Sequence, residues 1–139
     1  MEQVATAPRT YQQKREWDFR TLNIWKEGHA LTMRIYEITK RFPPEETERL
    51  AADLRRAATR LTSTIACSLN KGSYKEKITG YEAATGNVPE LQNLIMLARD
   101  LGYCAPADAD DLHYRAETVS KMTYGLIKAS KTKMQNQEK

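Results

Sequence analysis

Little in this sequence is equipped for covalent chemistry. There are two cysteines, Cys67 and Cys104, and two histidines, His29 and His113. Two cysteines are too few for a disulfide scaffold. No C-x-x-C, H-x-x-x-H or E-x-x-H spacing occurs, so a zinc or di-iron site has no ligand set. Gly72 and Gly80 do not stand in the spacing of a phosphate-cradling loop. No apolar run approaches the ~20 residues that cross a bilayer. The first twenty residues carry Arg9, Lys14, Glu16 and Asp18 around no apolar core. No secretory signal is therefore expected, and the protein reads as cytoplasmic. These absences argue against most enzymes, and no cofactor or metal is expected.

What is present is charge and helical period. The 139 residues suit one domain, and a fold of this size buries roughly two thirds of its unfolded surface. Charged residues make up 29% of the chain, with 22 Lys and Arg against 18 Asp and Glu. The net charge of +4 and a pI near 9.1 suit a polyanionic partner without demanding one. The mean hydropathy of −0.70 is low and points to long solvated helices or a disordered end.

Residues 1–18 lack a sustained apolar period and read as a flexible basic arm, with Tyr11 and Trp17 in it. Trp17 and Phe19 are expected to dock near the first helix. That helix is predicted over residues 20–41, where Ile24, Leu31, Ile35 and Ile38 share one face. Gly28 interrupts it and would let another helix come close, and Phe42-Pro43-Pro44 ends it. The second helix is predicted from Pro44 to Leu69, with Glu45, Glu46 and Glu48 at its positive end. Its stripe is Leu50, Leu54, Ala57, Leu61 and Ile65. The third is predicted over residues 74–101, as one helix kinked at Pro89 or a pair broken there; the stripe keeps its phase across the proline, which favours one. Gly86 is expected to allow close helix contact, and Gly102 to stop the helix. The fourth is predicted over residues 107–130, on Leu112, Val119, Met122, Leu126 and Ala129. Residues 131–139 are expected to fray as a basic tail. Four long helices with short loops over residues 19–130 read as an all-α, antiparallel up-down-up-down four-helix bundle.

Two basic groups stand out. Arg49, Asp53, Arg56 and Arg60 fall on one strip of the second helix. The strip either meets phosphates or is a solvated face with Asp53 pairing Arg49 or Arg56. Arg55 points elsewhere. Lys71, Lys75 and Lys77 surround the turn after the second helix, and Lys128, Lys131 and Lys133 lie near the end of the fourth. In an antiparallel bundle those two lysine groups share a pole and form one basic cap. Lysines at helix C-termini are also ordinary dipole complements. Trp25, Tyr36 and Tyr81 read as packing residues, and Tyr11 and Trp17 as the better stacking candidates. Cys67, His29, and Glu82 with Glu90 assemble no catalytic group.

The run Phe19-Arg20-Thr21-Leu22-Asn23-Ile24-Trp25, then Ile35-Tyr36, Phe42-Pro43, Leu54-Arg55-Arg56-Ala57-Ala58 and Ile65-Ala66, resembles the bacterial 23S rRNA intervening-sequence proteins. The likeness continues at Ala84-Thr85-Gly86-Asn87-Val88-Pro89-Glu90-Leu91, Leu101-Gly102-Tyr103, Lys121-Met122 and Gly125-Leu126-Ile127. One segment departs. Where the family has S-I-P-x-N-I-A-E-G, this chain has residues 60–68, and only Ile65 and Ala66 survive. A role tied to the lost asparagine and glutamate is not carried over. The departure brings the chain nearer to the accessory variability determinants of diversity-generating retroelements, which are similar in fold. The resemblance implies a barrel-like homopentamer with a basic surface. It also implies nucleic-acid binding, RNA foremost, and a reverse transcriptase as the partner in the retroelement case. Two readings follow: a non-catalytic oligomeric scaffold that binds nucleic acid, or a protein-interaction module serving a reverse transcriptase.

Overall fold

The computed structural model describes residues 18–138. The arm residues before Asp18, Tyr11 and Trp17 included, lie outside them. The described residues form α1 (Asn23–Thr39), α2 (Leu50–Leu69), α3 (Tyr74–Asp100) and α4 (Pro106–Glu138), and no strand. Short 3-10 turns, Phe19–Thr21 and Pro44–Glu46, precede α1 and α2. Each helix packs on two neighbours, α1 and α3 both lying against α2 and α4. The chain is all-α and packs as a four-helix bundle.

One stripe of each helix turns inward. Leu31 and Ile35, then Leu54, Leu61 and Ile65, then Leu91 and Ile95, then Val119 are fully buried. Each such burial stabilises by about 1.5–3 kcal/mol relative to exposure. In the second half of α4 the inward positions are Thr123, Ile127 and Ser130, one residue on from the expected Met122, Leu126 and Ala129. The Thr123 hydroxyl donates to the Val119 carbonyl at 2.7 Å. Ser68 and Thr39 do the same to Thr64 at 2.6 Å and Ile35 at 2.7 Å. A hydroxyl satisfied by its own helix is no obstacle to burial.

Several boundaries differ from the sequence expectation. Before α1, the Asp18 carboxylate accepts from the Arg20 amide at 2.8 Å and caps a 3-10 turn, so the α-helix starts only at Asn23. Phe19 then meets Trp25 edge-on at 5.5 Å. α2 starts at Leu50 rather than Pro44, because Glu46 is held from outside. Its carboxylate accepts from the Tyr103 hydroxyl at 2.8 Å and from the Leu50 amide at 3.3 Å. Phe42 is buried beneath, 5.5 Å from the Tyr103 ring. α3 is uninterrupted through Gly86 and Pro89. It ends at Asp100, and Gly102 just beyond it turns the chain: its φ of 78° lets the Tyr103 amide reach back to the Ala98 carbonyl at 2.9 Å. α4 continues to Glu138, past the expected end at Ser130, since Ser130 is buried and Met134 still packs on the core.

The close helix approaches fall at Gly28 and Gly80. A Cβ on Gly28 would stand 3.1 Å from Thr62 Cγ2. A Cβ on Gly80 would stand 2.0 Å from Ser68 Oγ and 2.7 Å from its Cβ. Gly86 has nothing within 4 Å, so the expectation of close contact there is overturned. Gly80→Ala is expected to destabilise by about 1–3 kcal/mol through overpacking. Gly86→Ala is expected to stabilise by roughly 0.5–1 kcal/mol. Urea unfolding of the two variants checks this, and shifts of the same sign would contradict the α2–α3 geometry.

Two phenols titrate late. The hydrogen bond to Glu46 raises the pKa of Tyr103 above the ordinary tyrosine value, and burial raises that of Tyr81. A raised folded-state pKa gives stability that is complete below the unfolded value near ~10 and is lost as pH rises through the folded value. Urea midpoints measured above about pH 10 should therefore fall more gently in Tyr103→Phe than in the parent protein.

Candidate nucleic-acid interface

The arginine strip of α2 is largely engaged with carboxylates. Arg56 pairs with Asp53 one turn before it, and Arg60 reaches across to Glu90 on α3. Arg49 is exposed at the N-cap of α2. Arg55, expected to point away, shares a groove with Arg56 and Arg60. Its Nε donates to Thr39 Oγ1 at 2.9 Å, and its guanidinium lies 4.9 Å from the centre of the Tyr36 ring. Tyr36, Arg55, Arg56, Thr59 and Arg60 line this shallow groove of about 420 Å³. Tyr36, read from sequence as a packing residue, is 39% exposed at its rim. Helical phase places Arg55 about 100° from Arg56 on α2, which hides the reach of a long side chain over a ring on α1.

The lysines form a second region. Lys71 and Lys75 are exposed on either side of the α2–α3 turn. Ser73 caps α3 there, its Oγ accepting from the Glu76 amide at 3.1 Å. Lys77 is half-buried and donates to the Leu69 carbonyl at 2.6 Å, closing the end of α2. Burial lowers its pKa below the usual lysine value. Lys133 Nζ stands 5.9 Å from the centre of the Tyr74 ring, which joins the last turns of α4 to the first of α3. Lys128 and Lys131 are exposed on α4 just before it. The two lysine groups thus lie near one end of the bundle. The arginine strip does not join them: nine residues of α2, roughly 14 Å, lie between Arg60, its nearest member, and the helix end at Leu69, with Lys71 beyond.

Other candidate groups are placed as follows. His29 stacks on Trp25 with centres 4.6 Å apart. His113 Nε2 is buried without a hydrogen-bond partner among the described residues. Cys67 is exposed, and burial raises the pKa of Cys104. Among the described residues no cluster of three or more His, Cys, Asp or Glu could hold a metal, and no helix is long and apolar enough to cross a membrane.

A polar cluster ties α1 to the start of α4. Arg34 pairs with Glu37, with Asp108 at 3.0 Å and with Asp111 at 3.5 Å. Arg41 reaches Asp108 at 3.6 Å, and Arg115 reaches Asp111 at 3.0 Å. Here cations and carboxylates interleave, whereas near the other end Lys71, Lys75, Lys128 and Lys131 make no ion pair with a described residue.

No curated protein matches the chain. The model of one protein family, described as 23S rRNA-intervening sequence protein, matches residues 20–125, from the turn before α1 to well into α4. A match over so much of the bundle shows the family, and the chain belongs to the 23S rRNA-intervening sequence proteins.

Proposed function

We propose that the protein is a non-catalytic, homo-oligomeric scaffold of up-down-up-down bundles that binds nucleic acid, RNA foremost, through its basic surface. One observation carries this reading: the separation of lysines from carboxylates. Arg20, Arg34, Arg41, Arg56, Arg60, Arg99 and Arg115 each lie within 4.0 Å of an acid. Their charge is locally balanced. Lys71, Lys75, Lys128 and Lys131 are exposed and make no ion pair with a described residue. Toward one end of the bundle, cations that no described carboxylate pairs are thus displayed by lysines.

Pairing in register supports the antiparallel arrangement. Thr39 meets Arg55 and Gly28 meets Thr62, so numbers rise in α1 as they fall in α2. The same holds for Thr64 with Asn87 and Arg60 with Glu90. The resemblance to homopentameric barrels makes five copies the natural assembly. Met33, Met96, Leu97, Leu101 and Tyr114 are exposed apolar side chains from which such a contact can be built. A ring repeats each lysine group, and repetition raises avidity without a tight single site.

The alternative is a protein-interaction module, an accessory to a retroelement reverse transcriptase. The departure of residues 60–68 from the family pattern favours it. In this chain Arg60 of that segment pairs with α3. A neighbouring reverse-transcriptase gene would favour this alternative, and a place inside an rRNA gene the first reading.

Light scattering with structured RNA at low and moderate salt tests the main proposal. A multimer whose mass grows with RNA only at low salt is expected. For every phosphate that a variant no longer neutralises, the plot of log affinity against log salt should flatten by roughly 0.7–0.9. Lys71→Gln with Lys75→Gln should therefore flatten it measurably. Arg56→Gln with Arg60→Gln, which removes cations already paired, should flatten it less. Affinity indifferent to salt would overturn the electrostatic account.

A further inference from the structure

The outer face of α4 extends the lysine group of Lys128 and Lys131 back along the helix in a regular pattern. Lys121, Tyr124, Lys128 and Lys131 recur at steps of three, four and three. At 100° per residue they fall within an arc of about 80°, along roughly 15 Å of helix. All four are exposed, Tyr124 at 59%. None of their side chains has a hydrogen-bond, ion-pair or ring partner among the described residues.

The ordinary explanations fail here. The helix dipole favours cations only within the last turn. Lys121 stands seventeen residues before the end of α4 at Glu138, and Lys131 still seven. Packing does not account for the neighbouring glycine either. Gly125 is exposed in mid-helix, and a Cβ there would meet nothing within 4 Å. A mid-helix glycine is unfavourable, and one common use for it is the close approach of a ligand to backbone. Earlier on the same face stand Asp110, Tyr114 and Glu117, all exposed, so the strip changes from acidic to basic along its length. Only the part from Lys121 onward suits an anionic ligand.

We propose that this strip binds an unpaired stretch of nucleic acid. Tyr124 is the platform for a base, and Lys121, Lys128 and Lys131 meet phosphates on either side of it. Gly125, four residues after Lys121 and three before Lys128, leaves the surface between them open. Every base has a π-face and every nucleotide a phosphate, so a tyrosine between lysines selects single strands without reading sequence. A paired segment keeps its bases stacked inside and offers the lysines phosphates alone. This inference rests on the nucleic-acid reading above and narrows its substrate class.

Fluorescence anisotropy with a labelled oligouridylate and a labelled RNA duplex separates the two. The parent protein is expected to bind the oligouridylate more tightly. Tyr124→Ala should weaken oligouridylate binding at least about fivefold and leave the duplex unaffected. Tyr124→Phe should retain binding, because the ring is what matters. Gly125→Leu, which fills the open space, should weaken the oligouridylate while leaving the thermal midpoint at or above that of the parent. Each of Lys121→Gln and Lys128→Gln should lower the single-strand salt slope by roughly 0.7. If Tyr124→Ala binds both probes as the parent does, the strip is wrong and the broader nucleic-acid reading survives. If the folded parent binds neither probe at low salt, both are wrong.

Discussion

The approach of Gly80 to Ser68 sets how α3 lies on α2, and much of the surface follows from it. Only a hydrogen fits where a Cβ would stand 2.0 Å from the Ser68 hydroxyl. The hydroxyl in turn donates to Thr64 along its own helix, so a polar atom sits at the tightest point of the seam without being orphaned. With that contact fixed, Lys77 reaches the Leu69 carbonyl, Asn87 reaches Thr64, and Arg60 reaches Glu90. Tyr74 then starts α3 where Lys133 of α4 can cover its ring. A side chain at position 80 would push the helices apart just where the lysines gather.

The packing of the helices also separates the charged residues by type. Arg34, Arg41 and Arg60 lie where another helix offers a carboxylate, as in the group around Asp108 and Asp111. Their planar heads with several donors suit bridging between helices. Each such exposed pair contributes little alone, about 0–1 kcal/mol. Their larger effect is to neutralise one region and leave the lysines of another unopposed. A lysine ammonium is a compact hydrated charge on a flexible stem, suited to a phosphate whose position is not fixed.

The helices are readable because their stripes are: Leu50, Leu54, Ala57, Leu61 and Ile65 are all buried. What misleads is composition at single positions. Thr123 and Ser130 look solvent-facing and are buried, so periodicity sets the stripe of α4 one residue early and its end eight residues short. Glu46 looks like a first-turn acid of α2, yet Tyr103, fifty-seven residues on, holds it outside the helix. Such a tertiary contact leaves no periodic trace. Gly86 sits in the run resembling the family, and close approach falls instead at Gly28 and Gly80. Of the basic candidates, the lysines near the turn and on α4 can be gathered by counting helix ends. The groove of Tyr36 and Arg55 cannot, because it depends on how far two long side chains reach between helices. The steps from Lys121 to Lys131 are in plain sight, and only the exposure of Tyr124 and the empty space at Gly125 give them meaning.

An uneven placement of charge gives a molecule an electric moment. Near one end of this bundle several lysines stand outside any ion pair with a described residue, while towards the other arginines and carboxylates interleave. In the field of a polyanion such a body turns before it touches, and the lysine-bearing end arrives first. The effect acts on the rate of encounter more than on the lifetime of the complex, and dissolved ions within a Debye length erase it. A body built this way needs no deep pocket to meet a polyanion, since orientation is supplied at a distance by the lysines that the bundle leaves without an ion pair.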